Sequence, residues 1–112
     1  MPNIVIFSFF SGVGILDLAF ENNGYEIVFV NECKKCFIEA YKFSRKNLLI
    51  QEPRLAYSNK NAMVYTQGKN KKRLIRMIQE EKEKGNVVGF IGGPPCPDFS
   101  VGGKNKGITG EN

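Results

Sequence analysis

Cys96 is the residue of this sequence best suited to covalent chemistry. It stands in the segment GGPPCPDFS at positions 92–100, directly after an apolar run that ends at Ile91. The prolines around the thiol stiffen the backbone and fix the direction of the sulfur. Cysteine is a strong nucleophile although only a small fraction is thiolate at neutral pH. The segment therefore predicts a reactive thiol at a strand end, where open α/β sheets bind ligands. The alternative is a buried, unreactive cysteine.

A glycine-rich turn and a later acidic residue form a second candidate site. The turn is FSGVG at positions 10–14, and Glu32 lies 18 residues beyond Gly14. Glycines allow a tight turn and the close approach of a ligand. A carboxylate at this distance can accept both hydroxyls of an adenosine ribose. The pair predicts a nucleoside site and leaves NAD, FAD and S-adenosylmethionine open. A structural glycine turn with an unrelated glutamate is the alternative.

Asp17 narrows the choice of ligand. A dinucleotide-binding fingerprint would have glycine or alanine where Asp17 stands. Pyrophosphate gains from a helix amino terminus that is free of acids, whereas the sulfonium and α-amino groups of S-adenosylmethionine tolerate a nearby carboxylate. Asp17 therefore favours the methyl donor, and a small dinucleotide-dependent oxidoreductase becomes the weaker interpretation.

The other two cysteines, Cys33 and Cys36, have the spacing of a redox pair or of half a zinc site. The sequence contains no histidine, so Cys96 is the only further sulfur or nitrogen ligand, which is too few for a tetrahedral zinc site. We predict no metal and interpret the pair as a coincidence at a helix start. The odd number of cysteines suggests a reducing compartment.

Strand-like and helix-like segments alternate along the chain. Apolar runs predict strands at 4–10, 25–30 and 87–91, while apolar stripes predict helices over 15–23, 33–44 and 71–84. Between residues 45 and 70 we expect a loop and a short strand. This order predicts an α/β fold with a doubly wound, mainly parallel sheet of the Rossmann-like type.

The helical stripes also predict which side chains face the core. In the second helix the predicted inner residues are Phe37, Ala40, Tyr41 and Ser44. In the third they are Leu74, Ile75, Met77 and Ile78. The third helix mixes acidic and basic residues, which is typical of a solvated face.

The composition is that of a soluble globular chain. Its 112 residues, 42% of them hydrophobic, suffice for one domain with a modest core and argue against disorder. No apolar run approaches the roughly 18 residues of a bilayer span, and no secretory signal is recognisable. We therefore expect a cytoplasmic protein without a membrane partner. The net charge of +5 is compatible with a polyanionic partner, although many domains this basic bind no nucleic acid.

Three segments resemble motifs of the DNA (cytosine-5) methyltransferase family. The turn at 10–14, followed by LDLAFENNG at 16–24, resembles the first motif, and Asn31-Glu32 resembles the second. GPPCPDFS at 93–100, followed by GKNKG at 103–107, resembles the fourth motif, which carries the catalytic cysteine. The motifs occur in family order and cover nearly the whole chain.

The resemblance implies an S-adenosylmethionine-dependent DNA methyltransferase of the restriction-modification type. Cys96 would add to C6 of a cytosine flipped out of double-stranded DNA, so that C5 takes the methyl group. Phe10 would stack on the adenine of the cofactor, and Glu32 would hold the ribose hydroxyls. The other implied contacts are to the cofactor, by Ser11, Gly12, Val13, Gly14, Leu16 and Pro94, and to the DNA backbone, by Ser100, Lys104 and Lys106.

Other features of the family are not recognisable. No aspartate lies between residues 45 and 90, so the family's acidic contact to the adenine amino group stays unassigned. The family's Glu-Asn-Val motif should lie tens of residues beyond Cys96, and Glu111-Asn112, only 15 residues on, comes too early. Residues 1–112 are therefore predicted to be the amino-terminal part of the catalytic, cofactor-binding domain. The target-recognition domain would be absent, and the chain would be inactive without a complementing carboxy-terminal subunit. The alternative is a non-catalytic nucleotide- or nucleic-acid-binding remnant.

Overall fold

The computed structural model describes residues 3–93 of the chain. In chain order the elements are β1 (Ile4–Phe9), α1 (Ile15–Glu21), β2 (Glu26–Asn31), α2 (Lys35–Asn47), β3 (Ala56–Ser58), a 3₁₀ turn (Ala62–Thr66), α3 (Gly68–Glu83) and β4 (Val87–Gly92). Strand and helix alternate as the sequence predicts. Among the described residues, no helix is both long and apolar enough to cross a membrane.

The sheet is entirely parallel, with the strand order β3-β2-β1-β4. The chain moves outward from β1 to β2 and β3, and then returns to the other side of β1 with β4. This arrangement confirms the predicted α/β, Rossmann-like fold class. It also makes the carboxyl ends of β1 and β4 a topological switch point, the place where such sheets bind ligands.

The central strands β1 and β2 are nearly continuous apolar runs because both faces of the sheet are covered. One apolar cluster includes Tyr41 of α2, together with Ile6, Ile27 and Val30. The cluster on the opposite face includes Met77 of α3, together with Val5, Phe7, Val28, Phe29 and Tyr65. The side chains of β1 therefore alternate between the two cores, whereas β2 contributes both Val28 and Phe29 to the second cluster, at the point where its register with β1 shifts.

The structure shifts the predicted inner face of α2. Tyr41 is buried as predicted, but Phe37 is 38% exposed, and the helix buries Ile38 and Arg45 instead. These three buried residues follow the spacing i, i+3, i+7 of a single helical stripe. The prediction placed that stripe about one residue away from its actual position.

The prediction for α3 was wrong at one position. Leu74, Met77 and Ile78 pack against the core as expected, but Ile75 is 41% exposed. The helix also starts three residues earlier than the sequence predicts, at Gly68.

Candidate functional site

The four strands end level with one another. Ser58 pairs with Asn31, Asn31 with Phe9, and Phe9 with Gly92. The first residues after these strands therefore lie side by side at the carboxyl end of the sheet: Asn59, Glu32, Phe10 and Gly93. Two of the sequence-predicted cofactor contacts, Phe10 and Glu32, are brought together in this way.

The turn at residues 10–14 has a backbone that favours glycine. The dihedral angle φ is 53° at Phe10, 58° at Gly12 and 93° at Gly14. Residues other than glycine rarely adopt such values. The amide of Ser11 donates to the carbonyl oxygen of Asn31 over 3.1 Å, and this bond holds the turn against β2.

Glu32 is anchored beneath this turn. Glu32 is only 7% exposed. Oε1 accepts a hydrogen bond of 2.9 Å from the amide of Gly12, and Oε2 accepts one of 2.8 Å from the amide of Lys34. A carboxylate oxygen can accept more than one hydrogen bond. Both oxygens are thus fixed in position while retaining the capacity to accept hydroxyl groups.

The other predicted contacts in the turn divide into two groups. Phe10, Val13 and Leu16 are exposed, so their side chains can meet a ligand. The Ser11 side chain is buried, and its hydroxyl oxygen lies within hydrogen-bonding distance of three oxygens: Ser8 Oγ at 2.8 Å and the carbonyl oxygens of Ser8 and Asn31 at 3.2 Å each. Ser11 therefore braces the turn with its side chain.

Asp17 does not face the ligand side of the turn. It is 1% exposed, and it accepts hydrogen bonds from Ser8 Oγ over 2.8 Å and from the Tyr41 hydroxyl over 2.6 Å. Burial raises the pKa of the Asp17 carboxyl, against the hydrogen bonds from Tyr41 and Ser8 that lower it. The residue joins β1, α1 and α2 inside the protein. A carboxyl buried in this way does not contact a ligand at the turn, so Asp17 does not favour the methyl donor over a dinucleotide.

Asn59 is a further polar residue at this end of the sheet, and the sequence did not identify it as a candidate. Its Nδ2 donates to the main-chain oxygens of Glu32, over 2.9 Å, and Cys33, over 3.1 Å. Its Oδ1 accepts no hydrogen bond from the described part of the chain. Asn59 is exposed beside Glu32, so it offers a free acceptor at the same end of the sheet. The run of polar residues after Tyr57 was the signal that a strand ends there.

The other predicted site residues, Cys96, Pro94, Ser100, Lys104 and Lys106, lie outside the described residues. The strand that leads toward them, β4, ends at Gly92. A Cβ atom at Gly92 would lie 3.1 Å from the main-chain oxygen of Phe9. The chain therefore leaves the described region directly beside the glycine turn.

Cys33 and Cys36 are both free and exposed. Within residues 3–93, no three His, Cys, Asp or Glu side chains are grouped closely enough to hold a metal ion.

The comparison with known protein families accounts for this combination of motifs. The profile of the C-5 cytosine-specific DNA methylase family matches residues 4–112, which is nearly the entire chain. The chain belongs to this family. The resemblance of the three sequence motifs to those of the cytosine-5 methyltransferases is thereby confirmed.

Curated relatives agree with the family match. The Type II methyltransferase M.NmeDI of Neisseria meningitidis serogroup C is 51% identical over 96% of this chain and 26% of its own length. M.FnuDI of Fusobacterium nucleatum is 36% identical over 93% of this chain and 24% of its own length. M.MthTI of Methanothermobacter thermautotrophicus is 38% identical over 94% of this chain and 25% of its own length. The chain thus spans about a quarter of the length of these relatives. No solved structure matches it significantly.

Proposed function

We propose that residues 1–112 form the amino-terminal, cofactor-binding part of the catalytic domain of a DNA (cytosine-5) methyltransferase. The methyl donor is S-adenosylmethionine, and the acceptor is cytosine in double-stranded DNA in the cytoplasm. The anchored carboxylate of Glu32 carries the proposal. It lies at the carboxyl end of the sheet, next to a turn whose Gly12 has no atom within 4 Å of a Cβ position.

The residues of this end of the sheet fit S-adenosylmethionine. Glu32 accepts hydrogen bonds from the ribose hydroxyls, and the exposed ring of Phe10 stacks on the adenine. Asn59 Oδ1 accepts from the adenine amino group, in place of the acidic contact that the sequence lacks. Remaining contacts to the methionine part come from Ser11, Gly12, Val13, Gly14, Leu16 and Pro94. When bound, the cofactor supplies an electrophilic methyl group.

Cys96 is the proposed nucleophile. Its thiolate adds to C6 of the flipped cytosine, and the electron pair of the C5–C6 double bond makes C5 nucleophilic toward the methyl carbon. C5 would form its bond to the methyl carbon as the methyl–sulfur bond of the donor breaks and the demethylated cofactor leaves. A base would then remove the C5 proton, and the electron pair of that bond would re-form the C5–C6 double bond as the C6–sulfur bond breaks and the thiolate leaves. Ser100, Lys104 and Lys106 contact the DNA backbone, where positive charge acts independently of sequence. A carboxy-terminal partner segment supplies base recognition.

A chimaera tests this function. Residues 1–112 replace the matching quarter of the Neisseria meningitidis relative, and transfer of a tritiated methyl group to double-stranded DNA is measured. We expect the chimaera to methylate cytosine and Cys96→Ala to abolish transfer. Cys36→Ala is the matched control, because it removes an exposed thiol outside the proposed mechanism, and it should retain activity. Methyl transfer that survives in the Cys96→Ala chimaera would show that the mechanism is wrong.

A further inference from the structure

Helix α3 carries four cations on one face, which we call the basic stripe: Lys69, Lys72, Arg73 and Arg76. Their spacing of i, i+3, i+4 and i+7 places them along a single side of the helix. All four are exposed, and none forms an ion pair with the part of the chain that the structure describes. The charge of the stripe is therefore available to a partner.

The stripe opposes the electrostatic preference of its own helix. It occupies the amino-terminal half of α3, whose first turn contains no acidic residue. Cations are unfavourable at the positive end of the helix dipole, and like charges three or four residues apart repel. The same face carries acids, Glu80 and Glu83, in its carboxyl-terminal half. On this face the two signs are segregated, in the order that the helix dipole disfavours. The interpretation of α3 as a mixed, solvated face does not explain this order.

The stripe begins beside the candidate cofactor site. Lys60, which follows β3, donates from Nζ to Asn70 Oδ1 over 3.1 Å, and Asn31 Nδ2 donates to the Lys60 carbonyl oxygen over 2.8 Å. Arg73 of the stripe lines a pocket of about 130 Å³ together with Asn59 and Lys60. The basic half of α3 therefore lies at the carboxyl end of the sheet, and the acidic half lies at the amino end.

The dimensions suit a nucleic-acid backbone. The seven residue steps from Lys69 to Arg76 rise about 10 Å along the helix, and successive phosphates of one DNA strand are spaced about 3.4 Å along the duplex axis. The distance across the sheet from β3 to β4 is three strand spacings, or about 14 Å, which corresponds to about four base-pair steps. About four base pairs of one duplex are therefore long enough to reach from the end of β3 to the end of β4.

We propose that the basic stripe of α3 binds the phosphate backbone of double-stranded DNA. The contact is independent of base sequence and adds to the contacts expected from Lys104 and Lys106. This inference rests on the proposed function, because it takes the substrate DNA as the partner. Exposed lysine and arginine side chains without carboxylate partners release counterions from the phosphates that they neutralise.

The test measures how the binding of a fluorescein-labelled duplex to the 112-residue chain depends on KCl concentration. In the double variant Lys69→Gln/Lys72→Gln, the slope of log K against log[KCl] should become shallower by about 1.8, since each phosphate contact contributes about 0.9. The matched control Lys46→Gln/Lys82→Gln makes the same charge change in the last turns of α2 and α3. It should keep the wild-type slope.

Three outcomes would overturn the inference: no binding of the duplex by the wild-type chain, an unchanged slope in the stripe variant, or an equal change in the control. Binding of S-adenosylmethionine to the same variants separates this inference from the proposed function. If the cofactor binds through Glu32 and the slope is unchanged, the stripe proposal fails alone. If the slope changes as expected and no cofactor binds, the proposed cofactor site fails, while binding of duplex DNA by the stripe is supported.

Discussion

At Gly14 the backbone and its surroundings both exclude a side chain. The φ angle is +93°, and a Cβ atom would lie 2.7 Å from Cε2 of the Tyr41 ring. The same ring carries the hydroxyl that donates to the buried Asp17 carboxylate over 2.6 Å, so it cannot easily move away. Tyr41 thereby holds the first turn of α1, and with it the glycine turn, in position.

We expect Gly14→Ala to lower the free energy of unfolding by about 2–4 kcal/mol, because left-handed strain and overpacking add. Gly24→Ala is the matched control. The φ angle of Gly24 is +88°, but nothing lies within 4 Å of its Cβ position. Backbone strain alone should therefore lower the free energy of unfolding of this variant, by about 1–2 kcal/mol. Urea unfolding followed by circular dichroism measures both values. Equal losses in the two variants would contradict the role assigned to the Tyr41 ring.

The positions of the glycine turn and of Glu32 at neighbouring strand ends could be predicted from the sequence, whereas the burial of Asp17 and the position of Asn59 could not. The turn at 10–14 and Glu32 could be predicted because their spacing is local and their residue types are restrictive. Asp17 was misplaced because its partners, Ser8 and Tyr41, lie on other elements, so its burial depends on tertiary packing. Asn59 was missed because an amide beside a short strand carries no distinctive pattern.

At the scale of elements, Glu81 joins three segments at the amino end of the sheet. The residue is 1% exposed, and it accepts two hydrogen bonds from Arg54, of 3.1 and 2.7 Å. Lys84 and Asn86 donate to it as well, and Arg54 also binds Glu26 at the start of β2. The hydrogen bonds from Arg54 lower the pKa of Glu81 to about 2.

This lowered pKa predicts a specific acid dependence of stability. Because the pKa of Glu81 is lower in the folded state than its ordinary value of 4.5, its stabilising contribution is complete above that value. The contribution is lost as the pH falls through the window between 4.5 and about 2. Glu81→Gln should cost about 1–3 kcal/mol at neutral pH, because charged donors then lose their partner.

As the pH falls from 4.5 to about 2, the free energy of unfolding of Glu81→Gln should decrease less than that of the wild type. Urea unfolding at a series of pH values measures the difference. Glu83→Gln is the matched control, because Glu83 is exposed and forms no ion pair with the described residues. If the free energy of unfolding of Glu81→Gln falls with decreasing pH as steeply as that of the control, then the contact with Arg54 does not set the pKa of Glu81.

Helices and strands with a strong pattern of apolar residues could be predicted from the sequence. A strand defined only by its pairing with a neighbouring strand could not be located. The strands β1 and β2 are buried on both faces, so their sequences are continuous apolar runs. The strand β3 consists of Ala-Tyr-Ser at the edge of the sheet and is defined by its pairing with β2. The more apolar segment at 63–65 instead belongs to the 3₁₀ turn, where Tyr65 packs into the core.

At the scale of the whole molecule, one end of the sheet collects the groups that suit ligand binding. The glycine turn, Glu32 and Asn59 follow β1, β2 and β3, and the segment that contains Cys96 follows β4. The opposite end holds the ion-pair network around Glu81. This division follows from the parallel topology, because every strand places its carboxyl end on the same side. The ion-pair network around Glu81 and the proposed ligand site therefore lie at different ends of the sheet.

The most direct test of this account is the titration of the chain with S-adenosylmethionine by isothermal calorimetry. We expect the wild type to bind and Glu32→Ala to bind at least about tenfold more weakly, since a hydrogen bond to a charged group contributes about 1.5–3 kcal/mol. Glu39→Ala, an exposed position on α2, should bind like the wild type. Circular dichroism must show that Glu32→Ala remains folded, because Glu32 also accepts from Gly12 and Lys34. Absence of binding to the wild type, or equal affinity in a folded Glu32→Ala variant, would contradict the account.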